Sequence, residues 1–349
     1  MKPYRSLGGS TFVLAVACII SLYAASCGSE RGEGARHGSA PRSTDVAQDS
    51  GDKAPPAPSI GCALFPDDNY WHADVSRLPV LPRSDTYIDS IGRDTNLQAD
   101  FGAGVYAGSW LGIPYTAVDG DQPGVDVSFR YDEESDPGPY PIPADAPVEG
   151  GPGFVRDSDR HVLVVERDSC VLYELYKAEA QSDGTWKADS GAVFDLESND
   201  LRPDTFTSAD AAGLPILPGL VRYDEVASGE IDHAIRFTVE ETRDEYVWPA
   251  RHQAGKTGAD LPPMGLWLRL KADFDTSGYP EELQVILRAM QKHGLILADN
   301  GTSMFVSGTP DDRWDNDMLA LLRDIKADDF EAVDVSSLIV DPDSGQVRK

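Results

Sequence analysis

The chain has 349 residues, and its 59 aspartates and glutamates outnumber its 30 lysines and arginines, which gives a formal net charge of −29 at pH 7. Such an acidic surface repels nucleic-acid phosphates, so we expect no nucleic-acid partner and attribute the charge to solubility outside the cell or to a salt-rich or metal-rich niche. The sequence also lacks the G-x-S-x-G, H-E-x-x-H, Walker A and G-x-G-x-x-G motifs, which removes the best-known signatures of serine hydrolases, zinc proteases and nucleotide-binding proteins.

Residues 1–26 predict an export signal. Lys2 and Arg5 precede the apolar run TFVLAVACIISLYAAS, which is too short to predict a membrane span. The run ends in Ala24-Ala25-Ser26-Cys27, which resembles the lipobox of bacterial lipoproteins, with Ala24 where a large aliphatic residue is usual. The resemblance implies that Cys27 is lipidated and anchors the protein to a membrane of the bacterial cell envelope, outside the cytoplasm. The alternative is ordinary secretion, with Cys27 merely near the cleavage point.

Residues 27–59 are rich in Gly, Ser, Pro and charge, which predicts a disordered tether behind the lipid. If the signal removes Cys18 and the lipid uses Cys27, Cys62 and Cys170 remain, and an even pair in an oxidising compartment predicts a disulfide. Two cysteines so far apart do not have zinc-ligand spacing. The segments AVDGDQPGVD and DDRWDND are weak Ca²⁺ candidates without EF-hand spacing, so we expect no metal and no cofactor.

Residues 60–349 contain no second linker and no repeat, which predicts a single β-rich domain. After an irregular, Gly- and Pro-rich region with one short strand at 125–129, apolar and aromatic runs separated by turn signals predict strands. These runs are HVLVVERD, CVLYELYKAEA, TWKADSGAVFDL, IDHAIRFTVEE, EYVWPA, GLWLRLKADF, SMFVSG and AVDVSSLIV. PEELQVILRAMQKHG and DNDMLALLRDIK carry helical periodicity. We therefore predict a mainly β fold, an antiparallel, jelly-roll-like sandwich with one or two short C-terminal helices.

The segment HAIRFTVEETRDEYVWPARHQ, residues 233–253, concentrates basic side chains in an acidic chain. A hairpin turning near residues 242–244 would bring His233, Arg236, Arg251 and His252 to one end. The histidines are then candidate acid–base groups, and the arginines are candidates for substrate binding. Each residue taken alone is also explained by structure: a histidine at the core edge, or an arginine paired with an acid.

The preceding segment, AAGLPILPGLVRYDE, combines an apolar loop fixed by prolines and glycines with charged residues. We predict that it packs across one end of the sandwich and presents Arg222, Asp224 and Glu225 beside the hairpin. The two carboxylates are candidates for general acid and base, or they form a surface ion pair with the arginine.

Three further candidates are less specific, because each has an ordinary structural explanation. His161 begins a predicted strand, Asp299 ends one in LADNG, where an Asx turn is equally reasonable, and Trp267 lies on a sheet face that could hold a sugar.

Four blocks, DPGPYPIP, SADAAGLPILPGLVRYDE, HAIRFTV and LADNG, resemble exported bacterial proteins that have no assigned function. This resemblance implies no activity, so it assigns no role to any residue. The candidate residues themselves favour a hydrolase or lyase that acts on a polysaccharide outside the cytoplasm.

In the lyase version, arginines neutralise a uronate while His233, His252 or Tyr223 removes the neighbouring proton. In the hydrolase version, a pair drawn from Asp224, Glu225 and Asp299 flanks the glycosidic bond. The alternatives are a non-catalytic surface module that binds glycan, protein or metal, and a purely structural cluster.

Overall fold

A computed structural model describes residues 53–151 and 158–348. The predicted signal peptide, the predicted lipidation site Cys27 and residues 27–52 of the predicted tether lie outside the described residues. The last tether residues are described and contact the domain: the Tyr115 hydroxyl donates to the Pro58 carbonyl at 2.8 Å.

Within the described ranges, no helix combines the length and the apolar character that crossing a membrane requires.

The mainly β prediction is confirmed, because strands hold more of the described residues than helices do. The strands are β1 (Gln98–Asp100), β2 (Val105–Tyr106), β3 (Ser109–Trp110), β4 (Tyr115–Val118), β5 (Val127–Phe129), β6 (Val162–Glu166), β7 (Val171–Tyr176), β8 (Glu179–Ala180), β9 (Trp186–Ala188), β10 (Ser190–Asp195), β11 (Ile235–Val239), β12 (Trp267–Leu270), β13 (Leu295–Asn300), β14 (Phe305–Ser307) and β15 (Phe330–Ala332). The α-helices are α1 (Ser84–Ile91), α2 (Tyr223–Ser228), α3 (Glu281–Lys292) and α4 (Asn316–Ala320). Short 3₁₀-helices cover Tyr70–His72, Asp132–Glu134, Leu217–Gly219, Leu321–Asp324 and Ala327–Asp329.

Two sheets organise the domain. The large sheet has the strand order β1-β14-β11-β13-β12-β15, and the second sheet has the order β10-β7-β6-β4. Both are mixed, since β1 and β14, β11 and β13, and β4 and β6 run parallel. The antiparallel part of the prediction therefore needs correction: long connections, such as the one that joins β11 to its parallel partner β13 by way of β12 and α3, let the chain return in either direction.

The two sheets share one hydrophobic core. Leu163 and Leu172 of the second sheet belong to the same buried cluster as Phe237 of the large sheet. The predicted C-terminal helix is confirmed as α3, which buries Leu283, Ile286, Leu287 and Met290 on one face. Full burial of each such side chain contributes about 1.5–3 kcal/mol, so α3 is a major source of stability for the large sheet.

The predicted disulfide is confirmed. Cys62 and Cys170 are bonded, with their Cα atoms 5.8 Å apart and a sequence separation of 108. Cys170 lies in the turn between β6 and β7, so the bond ties the N-terminal segment of the domain to the second sheet.

The predicted hairpin over residues 233–253 is wrong. The strand β11 forms as expected, but it pairs with β13 on one side and with β14 on the other. The segment after it reaches its neighbours through single bridges, Arg243 with Lys256 and Tyr246 with Met264. The strand β11 lies inside the large sheet, so the packing of the whole core determines which strands it pairs with. A local turn pattern cannot predict those partners.

Candidate functional site

A row of polar side chains crosses one face of the large sheet. Asp100 pairs with Ser307 on the neighbouring strand, and Val306 faces Phe237 on the next one. This register makes Arg236 the neighbour of Ser307, and the Arg236 Nη1 donates to the Ser307 Oγ at 2.8 Å. Because cross-strand partners share a face, these polar groups lie on the same side of the sheet.

A β-bulge adds Asp299 to this row. Between β11 and β13 the register shifts by one residue: Phe237 faces Leu297, but Thr238 faces Asp299, so Ala298 is the extra residue. Since side chains alternate along a strand, the shift turns Asp299 to the face that carries Arg236 and Thr238. The Ala298 carbonyl accepts from the Ala212 amide at 3.0 Å, which fixes the bulge to a neighbouring loop.

The same loop places a buried carboxylate beside Arg236. Asp210 accepts from the Ala212 amide at 2.8 Å, and its other oxygen lies 3.3 Å from the Arg236 Nη2. Asp299 lies 3.7 Å from the same nitrogen, so one guanidinium nitrogen faces both carboxylates. Arg236 is only 3% exposed, and its Nε has no hydrogen-bond acceptor among the described residues. A buried donor without an acceptor is a place where a ligand oxygen or a water molecule would bind.

The second sheet supplies the facing groups. Glu174 pairs with Leu163 and Ala192, both members of the shared core, and is fully buried. Its carboxylate accepts from the amides of Ile216 and Leu217 at 2.9–3.0 Å. These hydrogen bonds give the buried charge partners, which it needs because an unpaired carboxylate inside a protein is costly.

His161 joins two loops at the end of this sheet. Its Nδ1 donates to Glu149 at 2.7 Å and its Nε2 donates to the Ala209 carbonyl at 3.1 Å. Both partners are acceptors, so both bonds require the doubly protonated ring. Burial alone would lower the pKa of His161, but Glu149 raises that pKa to about 9. Burial alone would raise the pKa of Glu149, but the neighbouring His161 ring lowers that pKa below its usual value.

We call these seven residues the central cluster: Asp100, Glu149, His161, Glu174, Asp210, Arg236 and Asp299. Several of its carboxyls hold protons more tightly than usual. Burial, followed by repulsion from Asp210, raises the pKa of Asp299 to about 7. Burial raises the pKa of Glu174 to about 7 and that of Asp210 to about 6. Burial and Glu149 raise the pKa of Asp100 to about 6, although this residue is accessible to solvent, which moderates the effect.

The cluster is buried on one side and open on the other. The side chain of Asp210 is 0% exposed, whereas those of Asp299 and Glu149 are 22% and 21% exposed. Asp159 is exposed, interacts with Tyr176 and contributes to the raised pKa of Asp299. Solvent or a ligand can thus reach the Asp299 carboxyl, whose pKa burial and Asp210 raise, and a raised pKa is typical of a general acid.

Three other predicted site residues meet elsewhere. Glu225 pairs with Arg222, and the His233 Nε2 lies 3.3 Å from its other oxygen. Burial would raise the pKa of Glu225, but Arg222 and His233 lower it to about 2. The three border a cavity of about 280 Å³ next to Cys62 and His72. Because Glu225 stays ionised between Arg222 and His233, its carboxyl is not a proton donor near neutral pH.

The remaining predicted residues have separate partners. Asp224 pairs with Arg313 at 2.7 Å, and Arg251 pairs with Asp343 at 2.8 Å. The His252 Nδ1 lies 2.8 Å from the Ala211 carbonyl, so it does not share a partner with His233. The four basic residues of the predicted hairpin end, His233, Arg236, Arg251 and His252, therefore each have different hydrogen-bond partners.

Trp267 does not fit the expected sugar-binding surface. Its side chain is 1% exposed, because both faces of the large sheet are covered at β12. A ring enclosed by the core has no face free for a sugar.

The structure thus brings together Arg236, His161 and Asp299 from the predicted residues and adds Asp100, Glu149, Glu174 and Asp210. One of these carried a sequence signal: Glu174 alternates with Leu172 on the inward face of β7, where an acid is unusual. Among the described histidines, cysteines, aspartates and glutamates, no group of three or more could hold a metal ion. Comparison with known proteins finds no match to a protein-family model, to a curated protein or to a solved structure.

Proposed function

We propose that the chain is an extracytoplasmic, lipid-anchored glycoside hydrolase whose active site is the central cluster. The observation that carries the proposal is Asp299, a partly exposed carboxyl with a pKa of about 7 beside a second carboxylate and a buried arginine. A protonated carboxyl at neutral pH can donate its proton to the oxygen of a glycosidic bond as that bond breaks.

The neighbouring residues supply the other roles that this reaction needs. Asp159, exposed and held by Tyr176, is the candidate for the second carboxylate, which activates water or attacks the sugar. Arg236 positions Asp299 through its Nη2, which lies 3.7 Å from the carboxyl. The Asp210 side chain is 0% exposed, and its negative charge helps to keep the pKa of Asp299 high.

The charge balance of the site favours a hydrolase over a lyase. The central cluster contains five carboxyl groups and two basic groups, and each basic group is already paired with a carboxylate. A uronate entering this site would meet further negative charge without a free cation to neutralise it. The same balance favours a neutral glycan as the substrate.

A non-catalytic glycan-binding module is the second candidate. The fixed His161–Glu149 pair supports it, because this ion pair joins two loops without offering a group that titrates near neutral pH. In that case the raised pKa of Asp299 would be a by-product of burial.

The test uses the full-length chain, purified in detergent, with a panel of glucan, xylan, mannan, chitin and polygalacturonate. Reducing ends report hydrolysis, and the ultraviolet absorbance of an unsaturated uronate reports a lyase. We expect reducing ends from at least one neutral polysaccharide, and a fall in kcat of about 10²–10⁴-fold in Asp299→Asn. Asp224→Asn, which changes an exposed carboxylate paired with Arg313, is the control.

The two alternatives predict different results. Uronate absorbance that persists in Asp299→Asn would support a lyase at another site. Glycan binding without any product would support the binding module.

A further inference from the structure

An exposed aromatic hairpin stands beside the central cluster. The strands β2 and β3 are joined by Ala107 and Gly108, which have φ angles of 53° and 87° and so allow a tight two-residue turn. Tyr106 is 73% exposed, the highest value among the exposed large apolar side chains of the described residues, and Val105 is 39% exposed. A tyrosine ring exposed at the tip of a hairpin is free to contact a ligand through its apolar face.

Both ends of the hairpin are attached at the central cluster. Asp100 precedes it, and the Gly102 amide donates to the Leu111 carbonyl at 3.2 Å, which closes its base. On the far side, the Ile113 amide donates to the carbonyl of Gly308, the residue after Ser307, at 3.0 Å. The hairpin therefore rises from the place where the strands carrying Asp100 and Ser307 pair.

The hairpin also contacts the loop that carries Glu149. The Trp110 indole lies against the backbone of Gly151: a Cβ atom at that glycine would be 2.8 Å from the ring. Gly151 follows Glu149 by two residues and has a φ of +77°. A side chain at this position would thus displace the indole, so the close contact fixes the hairpin relative to the open side of the cluster.

We propose that this hairpin is a sugar-binding subsite, in which the Tyr106 ring stacks on a pyranose of a neutral glycan chain that extends from Asp299. A tyrosine ring offers an apolar face for the C–H groups of a sugar and a hydroxyl for a hydrogen bond, and it loses little conformational entropy on binding. Continuity with the central cluster selects a glycan as the occupant. The inference rests on the proposed function for its substrate class.

The experiment measures binding separately from turnover. Full-length Asp299→Asn protein is titrated with hexasaccharides and disaccharides of glucan, xylan, mannan and chitin, and intrinsic fluorescence and calorimetry report Kd. We expect at least one hexasaccharide to bind and Tyr106→Ala, introduced in the same background, to weaken it roughly tenfold while the disaccharide is unaffected. Tyr106→Phe should keep most of the affinity, because the ring face remains.

Tyr131→Ala is the matched control, since Tyr131 is also exposed, at 46%, but lies next to Asp132–Glu134, outside the hairpin. The subsite is refuted if Tyr106→Ala binds every hexasaccharide as tightly as this control, or if no hexasaccharide binds. Binding that depends on Tyr106, without hydrolysis by the wild-type chain, would refute the hydrolase and leave the subsite in place. If the wild-type chain hydrolyses a polysaccharide and Tyr106→Ala leaves the rate of that hydrolysis unchanged, the subsite is refuted and the hydrolase is supported.

Discussion

Replacing Arg236 with methionine tests whether the central cluster depends on its buried guanidinium. The change keeps most of the aliphatic stem but leaves Asp210, whose side chain is 0% exposed, without the cation at 3.3 Å. Removing one partner of a buried ion pair costs about 3–5 kcal/mol, because the remaining charge is neither hydrated nor paired. We expect a loss of this size in the free energy of unfolding at about pH 7.5, where the carboxyl must ionise or take up a proton.

The cost should shrink as the pH falls. Burial already raises the pKa of Asp210 to about 6 in the presence of Arg236, and losing the arginine raises that pKa further. A folded-state pKa above the unfolded value gives stability that is fully present below the unfolded pKa and is lost as the pH rises through the folded pKa. The gap between wild type and Arg236→Met is therefore wider at about pH 7.5 than at about pH 5.

The assay is urea unfolding of the disulfide-intact protein, followed by circular dichroism at both pH values. The double variant Arg236→Met/Asp210→Asn should recover most of the loss at the higher pH, because the Asp210 carboxylate that lost its cation is then absent. Arg83→Met is the control: the Arg83 and Asp260 side chains are 45% and 83% exposed, so the loss of this surface ion pair should cost less than about 1 kcal/mol. A cost for Arg236→Met as small as this control, or equal at both pH values, would refute the reasoning.

Three further predictions concern stability, each measured by thermal unfolding. The pKa of His161 is raised from 6.5 to about 9, so its contribution to the free energy of unfolding is complete below pH 6.5 and is lost as the pH rises through 9. His161→Gln should flatten this decline of stability with pH. An unchanged decline would contradict the assignment. The Cys62→Ser/Cys170→Ser variant opens a bond spanning 108 residues and should lose about 2–5 kcal/mol, and equal melting with and without the bond would show that the bond contributes nothing. Leu283→Ala on the buried face of α3 should cost about 2–5 kcal/mol, whereas Glu282→Ala on the exposed face should cost under about 0.5 kcal/mol. Similar costs for the two variants would mean that the Leu283 face is not buried.

Local sequence patterns predicted the features of the fold that depend on local physics. The helix α3 was predictable because its apolar residues recur every three to four positions, and strands β6, β7, β9 and β10 because β-branched and aromatic residues cluster between turns. The disulfide followed from an even cysteine count. The α2 helix, which carries Asp224 and Glu225, is only six residues long and has no side-chain cap, so it left little signal.

The site was less predictable because it depends on strand order. Asp100 and Ser307 are more than two hundred residues apart and become neighbours because β1 pairs with β14. Arg236 and Asp299 were recognised as candidates but were assigned to different groups, since the supposed hairpin put Arg236 beside Arg251. No pattern in LADNG shows that Ala298 is an extra residue in its strand.

The bulge at Ala298 makes the site depend on chain length as well as on residue identity. Because side chains alternate strictly along a strand, a regular register that retained Ala298 would pair Asp299 with Val239 and turn it to the opposite face of the sheet, although every residue of the central cluster would still be present. A survey of point substitutions would miss this dependence, whereas insertions and deletions in β13 would expose it. In this protein the spacing between residues is itself a determinant of which face carries the chemistry.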